Sequence, residues 1–529
     1  MSIKLAIDIL AKVGHESLAK AIADERDAYL VEIDKLRLLI GQFNRLKHGP
    51  KSEKLEAQLL LAIEDTEQRL AQADAAREQE EEDKPAAQRR PRPPRNNNRG
   101  ALPESLPREH IVIEPEDKSC PCCGGEMHVM SEDVTEMLDF VPAQFRVKAY
   151  HRPKYACRGC QEAIVQAPAP ERPITGGMAT EGLLAQVLVS KYADHCPLYR
   201  QAAIYRRAGI TLDRSTLADW VGRSCWWLKP LHDLLTTTVL ASNKLFADDT
   251  PVPVLDPGRG KTKTGRLWAY ARDDRPWQGA DPPAVTYIYS DNRKGEHPTH
   301  HLLDFKGILQ VDGYQSYDTI ASKRADGSIV LAYCWTHCRR KFFELHKSLP
   351  ESNTEAANAP IATEAVQRIA ALYAIEDDIR GKTADERRQV RLGRSKPLVD
   401  ELWKWLMDRL GKISGKSKLA EAIRYALGHW DGLCVFLDDG RVEMDTNSVE
   451  RTFRPQKLTA KNSLFAGSDS GGVSWSIVAS LIETAKLNGV EPYAYLKDIL
   501  ERMVAGHPIN RFDQLLPWNW KKLGSPQPA

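Results

Sequence analysis

The chain has 529 residues, of which 42% are hydrophobic and 28% charged, with a net charge of +2; at roughly 150 residues per domain this suggests about three or four domains. Mean hydropathy is −0.45, and the sequence holds no run of about 18 apolar residues and no N-terminal apolar core, so neither a membrane span nor secretion is expected and a cytoplasmic protein is. The near-neutral charge leaves any nucleic-acid partner to local clusters, and the ten cysteines are too sparse for a disulfide scaffold.

Residues 1–83 read as helix. Tyr29, Ile33, Leu36, Ile40 and Phe43 alternate four and three apart as a short heptad seam, and Gly49-Pro50 breaks the run. Both a helical hairpin and a dimerising coiled coil fit this pattern. Five acids crowd positions 78–83, and six cations without an acid follow over 84–100: Lys84, Arg89, Arg90, Arg92, Arg95 and Arg99. With four interleaved prolines that stretch cannot build a core. It reads as a flexible linker, either a spacer or a basic arm lying along phosphates.

Residues 101–170 surround two C-x-x-C knuckles, Cys120/Cys123 and Cys157/Cys160, separated by 33 residues. Four thiolates at this spacing close a tetrahedral, structural Zn²⁺ site, one per chain. Cys122 stands inside the first knuckle as a substitute for Cys123. Residues 171–240 predict three helices, with Ala208-Gly209-Ile210 as a turn between two of them. Their spacing fits a helix-turn-helix and fits a plain helical bundle equally.

From 244 the pattern changes to five short β-runs: NKLFADDTPVPVL, RLWAYARDD, AVTYIYSDN, GILQVDGY and IVLAYCWTH. The first and fourth end in Asp248-Asp249 and Asp312. Acids are poor strand formers and costly to bury without a partner. A third acid, Glu450, lies in a segment that Asp445 or Thr446 can cap as a helix. Three such carboxylates suit hard divalent cations, and a pair of those ions serves phosphodiester chemistry. Cations flank the acids: Arg339, Arg340 and Lys341 after the fifth strand, and Arg451, Arg454, Lys457 and Lys461 around Glu450. These are expected to meet phosphates. Residues 355–440 predict helix.

These segments together resemble the DDE transposases, and more closely those of the insertion-sequence-sixty-six family. The likeness runs through Gly49-Pro-Lys-Ser-Glu-Lys-Leu, both knuckles and Ser190-Lys-Tyr-Ala-Asp-His-Cys-Pro-Leu-Tyr-Arg. It continues in Ala247-Asp-Asp-Thr-Pro-Val, Val311-Asp-Gly-Tyr and His337-Cys-Arg-Arg-Lys-Phe. It closes with Glu450-Arg-Thr-Phe-Arg-Pro, Lys461-Asn-Ser-Leu-Phe-Ala-Gly-Ser and Pro492-Tyr-Ala-Tyr-Leu. The resemblance implies a multidomain α+β chain. Its parts are an N-terminal coiled coil over 1–83, the linker 84–100, a four-cysteine zinc module over 101–170 and a helical region 171–240. An RNase H-like α/β core with a mixed sheet follows over 241–354 and 441–490, interrupted by the helical insertion 355–440, and 491–529 closes the chain. It also implies that Asp248, Asp312 and Glu450 are catalytic and hold two Mg²⁺, with Mn²⁺ as a substitute. Where the family reads Ala-Asp-Glu-Thr this chain has Asp249, which leaves Asp249 as a substitute first ligand. Expected partners are the element's terminal inverted repeats, target DNA, a second protomer or more on that DNA, and accessory proteins encoded by the same element. A catalytically inactive DNA-binding relic is the competing reading.

Overall fold

The computed structural model describes residues 145–156, 164–167, 169–174, 177–256, 261–324, 327–347 and 359–520, together with His15, Leu18, Ile22 and Tyr29. The chain divides at residue 142, and all but those four belong to the unit Ala143–Ala529. Cys120, Cys123, Cys157, Cys160, the linker arginines and the heptad seam from Ile33 on lie outside the described residues.

Strands β1 (Lys154–Ala156) and β2 (Ile164–Gln166) form a small antiparallel ladder around the second knuckle's sequence. Three helices follow: α1 (Glu181–Tyr192), α2 (Leu198–Arg207) and α3 (Arg214–Leu240). α1 is buried along most of its length, which fits its even run of Leu, Val and Ala. α3 buries Leu217, Trp220, Leu228, Leu231 and Leu235 at helical spacing. Its His232 and Thr236 bond Tyr287 O and Thr286 Oγ1. The α3 face is therefore committed to the core.

All five β-runs form strands: β3 (Lys244–Leu255), β4 (Thr262–Arg272), β5 (Ala284–Ser290), β6 (Gly307–Val311) and β7 (Ile329–Tyr333). They make one mixed sheet in the order β5-β4-β3-β6-β7. The β3–β4 and β4–β5 pairs are antiparallel, whereas β3–β6 and β6–β7 are parallel. Short helix α4 (Glu296–His301) leads from β5 to β6, and α5 (Gln315–Lys323) crosses from β6 to the parallel β7. α6 (Trp335–Lys347) leaves β7.

Between α6 and the next sheet-packed helix lie α7 (Ala359–Ile379), α8 (Ala384–Val390), a one-turn π bulge (Arg391–Ser395), α9 (Lys396–Leu410), α10 (Lys418–Gly428) and α11 (Trp430–Asp438). They build their own apolar core around Leu372, Leu402, Ile423 and Phe436, to which α6 adds Trp335 and Phe342. The chain returns to the sheet through α12 (Asn447–Ser463) and α13 (Asp469–Leu487), and α14 (Pro492–Val504) packs on α1. Among the described residues no helix is long and apolar enough to cross a membrane.

Candidate active site

Pairing between β3 and β6 brings two acids together. Phe246 pairs with Gln310 in the parallel ladder, so Asp248 and Asp312 both stand two residues further along, on neighbouring strands and one face. Gly313 follows at φ +96°, and a Cβ there would lie 2.7 Å from the Tyr425 hydroxyl. Only glycine lets the chain turn at this point. The turn is closed by Tyr314 N, which donates to Asp312 Oδ1 at 2.9 Å.

Glu450 arrives on the first turn of α12, which packs on β3. Thr446 occupies the N-cap position without a side-chain cap bond. Its hydroxyl instead donates to Glu450 Oε1 at 3.1 Å. Asp445 takes up the helix start by accepting from Asn447 N at 3.0 Å.

Electrostatics mark the convergence of the three acids. Burial pushes the Asp248 carboxyl up to about 8, and Asp312, Asp249 and Glu450 add repulsion, against one backbone bond from Asp249 that favours the charge. A carboxyl held neutral in this way suits a divalent cation, whose charge would reverse the penalty at Asp248. Asp249 points to the opposite face. Arg266 Nη1 donates to it at 2.9 Å and Arg293 Nη2 at 2.8 Å, and its side chain is 2% exposed. Both carboxylate oxygens of Asp249 are thus already engaged by arginine.

One group escaped reading from sequence. His337 Nδ1 lies 3.9 Å from Glu450 Oε1 and is buried with no hydrogen-bond partner. Cys334, His337 and Glu450 are the one metal-capable cluster found among the described residues. The Cys334 thiol is buried and pushed up to about 11, which keeps it protonated and favours the oxygen and nitrogen donors. The local signal was present but blurred. By sequence His337 runs into the basic block Arg339–Lys341, whereas helix geometry divides them. His337, Arg340 and Lys341 line a cavity of about 440 Å³ with Asp312 and Arg293. Arg339 turns the other way and stacks over Phe343 at 5.5 Å. Lys341 sits 4.3 Å from the Tyr425 ring, and the Tyr425 hydroxyl donates to Asp312 O at 3.2 Å. Arg451 faces a second cavity of about 450 Å³ with Arg275 and Arg380. Arg454, Lys457 and Lys461 are exposed on α12.

The mixed sheet thus holds Asp248 within β3, which runs on to Leu255 rather than finishing at the acids, and Asp312 just past the end of β6, with cations around them. Residues 176–474 match the Transposase IS66 family, and residues 480–518 match the IS66 C-terminal element. Residues 117–161 match the zinc-finger binding domain of transposase IS66, and residues 35–111 match the Transposase C of IS166 homeodomain. Similar full-length proteins come from Sinorhizobium fredii (strain NBRC 101917 / NGR234). The uncharacterized protein y4jD is 45% identical, covering 92% of this chain and 94% of its own length. The uncharacterized protein y4qI is 43% identical, covering 97% and 92%. The uncharacterized protein y4hP is 39% identical, covering 93% and 89%. The chain belongs to the IS66 transposase family. Membership implies a transposase-type nucleotidyl-transfer enzyme that works on DNA, carries a zinc finger and uses a divalent metal.

Proposed function

We propose that this chain is a DDE transposase with an RNase H-like core, cutting and joining DNA at the terminal inverted repeats of its element. Asp248, Asp312 and Glu450 are the catalytic carboxylates. What supports this reading is the placement of Asp248 beside Asp312 from paired β3 and β6, with Glu450 on α12 near enough to add to the repulsion that, with burial, drives the Asp248 carboxyl up to about 8. Two Mg²⁺ held there would activate the attacking oxygen and stabilise the leaving one, and Mn²⁺ would substitute.

The chain's own groups do the rest. Arg293, Arg340 and Lys341 take the phosphates beside Asp312. His337 and Thr446 hold the Glu450 carboxylate in place. Water attacks the phosphodiester at the element end and the P–O3′ bond breaks, freeing a 3′-hydroxyl; that hydroxyl then attacks a target phosphodiester, forming a new P–O3′ bond as the target's own P–O3′ bond breaks and its 3′-hydroxyl leaves. Cys120, Cys123, Cys157 and Cys160 hold one structural Zn²⁺. Arg89, Arg90, Arg92 and Arg95 add sequence-tolerant affinity. The N-terminal seam pairs protomers as a coiled coil, accessory proteins of the element assist, and the work is done in the cytoplasm on the nucleoid.

The test is purified protein on labelled element-end DNA, with and without Mg²⁺. Wild type cleaves only with metal. Asp248→Asn, Asp312→Asn and Glu450→Gln each lower cleavage by about 100-fold or more while DNA binding stays near wild type. An active Glu450→Gln protein removes that residue from the set, and metal-independent cleavage sinks the reading. The inactive-relic alternative predicts binding without any cleavage.

A further inference from the structure

The far end of α12 carries a feature that the carboxylate chemistry does not use. Along this helix the exposed positions recur every three or four residues from Arg451. Four of them are the cations Arg451, Arg454, Lys457 and Lys461, and none is an acid. The stripe then turns apolar. Leu458 is 49% exposed, Leu464 70% and Phe465 39%.

The helix ends at Leu464 with φ +66° and ψ −44°. Phe465 N donates to Ser463 O at 2.8 Å. This is a γ-turn of the strained hand, an outlier for a bulky residue, where glycine would relax. The turn is also clamped. Ala466 N donates to Pro253 O and Leu255 N donates to Ala466 O, each at 2.8 Å. Leu464 and Phe465 are therefore held out to solvent by the same strand that carries Asp248. Backbone strain combined with exposed apolar side chains points to a ligand. The cationic track leading to them identifies its charge.

We propose that Leu464 and Phe465 form a wedge that enters the base stack of the bound element end. This rests on the carboxylate reading above, which fixes where the cut phosphate lies. Fourteen residues of helix separate Glu450 from Leu464, about 20 Å. At about 3.4 Å per base step, the wedge meets the duplex about six base pairs from the cut phosphate. Cations along α12 follow the backbone over that span, and the apolar pair unstacks the step it reaches. Leu and Phe are side chains that architectural DNA-binding proteins use in this way. The wedge fixes the register of the end over the carboxylates.

The test uses the full chain and duplexes of the flanking terminal repeat with 2-aminopurine placed at successive positions from the cleaved end. Wild type and Asp248→Asn should both raise the fluorescence severalfold about six base pairs in, because unstacking needs no chemistry. The double variant Leu464→Ser/Phe465→Ser should lose that rise and lower or scatter cleavage, while affinity changes less than about threefold, as phosphate contacts remain. Leu464→Gly should also lose much of the rise yet melt at or above the wild-type temperature, since its backbone is relieved. Wild-type protein that cuts without any rise overturns the wedge and leaves the carboxylate reading standing. A rise without metal-dependent cutting does the opposite. If the double variant keeps the rise and instead changes sedimentation in the absence of DNA, a second copy of the chain covers this patch and the proposal fails.

Discussion

Burial and the neighbouring Asp312 hold the Asp248 carboxyl at about 8, against an ordinary 3.8. Between those values the folded chain keeps a proton that the unfolded chain releases. This contribution to stability is therefore whole below about 4 and is lost as pH rises through 8. Metal-free protein should melt several degrees lower at pH 9 than at pH 6. Asp248→Asn should remove part of that difference, and a divalent cation should reverse it in wild type. Calorimetry that finds the same pH slope in both proteins would remove Asp248 as the cause. Its neighbour behaves differently. Asp249→Asn leaves Arg266 and Arg293 without their shared partner, so urea denaturation should show a loss of about 1–3 kcal/mol. Cleavage should stay within about tenfold of wild type. An Asp249→Asn protein that is fully stable but inactive would make Asp249 the metal ligand.

The helices between β7 and α12 are joined to β6 by a buried polar chain. Gln310 exchanges two hydrogen bonds with the Glu443 backbone, at 2.8 and 3.0 Å. Glu443 Oε1 accepts from Arg387 at 2.6 Å, and Glu376 accepts from Arg391 through both oxygens. Gln310 lies two residues before Asp312, so this chain sets the end of β6. Glu443→Gln should cost about 1–3 kcal/mol, because it leaves the buried Arg387 with only its longer bond to Glu376 at 3.4 Å, whereas Glu443→Met with Arg387→Met should cost less than the two single changes summed. A double change that costs as much as the two single changes summed would show that the pair does not couple. The five strands were legible because acids interrupt otherwise apolar β-runs, and the helical stretch showed in the 138 residues from Asp312 to Glu450. His337 was not legible as a partner of Glu450, because 113 residues separate them and no local period encodes such a contact. The γ-turn at Leu464 was hidden too, since neither glycine nor asparagine marks it. Arg339 was grouped with its neighbours by charge, and only the helix face separates them.

At the scale of the whole chain, joining two element ends requires two carboxylate centres near two DNA ends. The heptad seam is the part of the sequence suited to pairing protomers. Changing Ile33, Leu36 and Ile40 to polar residues should shift wild-type protein to a smaller species in analytical ultracentrifugation, with a zinc content unchanged at about one per chain. An unaltered distribution would assign the pairing to other surfaces.

The spacing of the three acids along the chain also has a consequence during synthesis. Asp248 and Asp312 lie on adjacent strands, but Glu450 waits on α12. At about 5–20 residues per second, the ribosome needs roughly seven to thirty seconds to travel from the second acid to the third. For that interval the nascent chain holds Asp248 and Asp312 without Glu450. A chain broken off by a frameshift or stalled message inside the helical stretch is left in the same condition. Such a fragment also lacks α12 and α13, which pack on β3 and β5, so it exposes sheet surface that the complete chain covers and should be cleared by proteases before it accumulates.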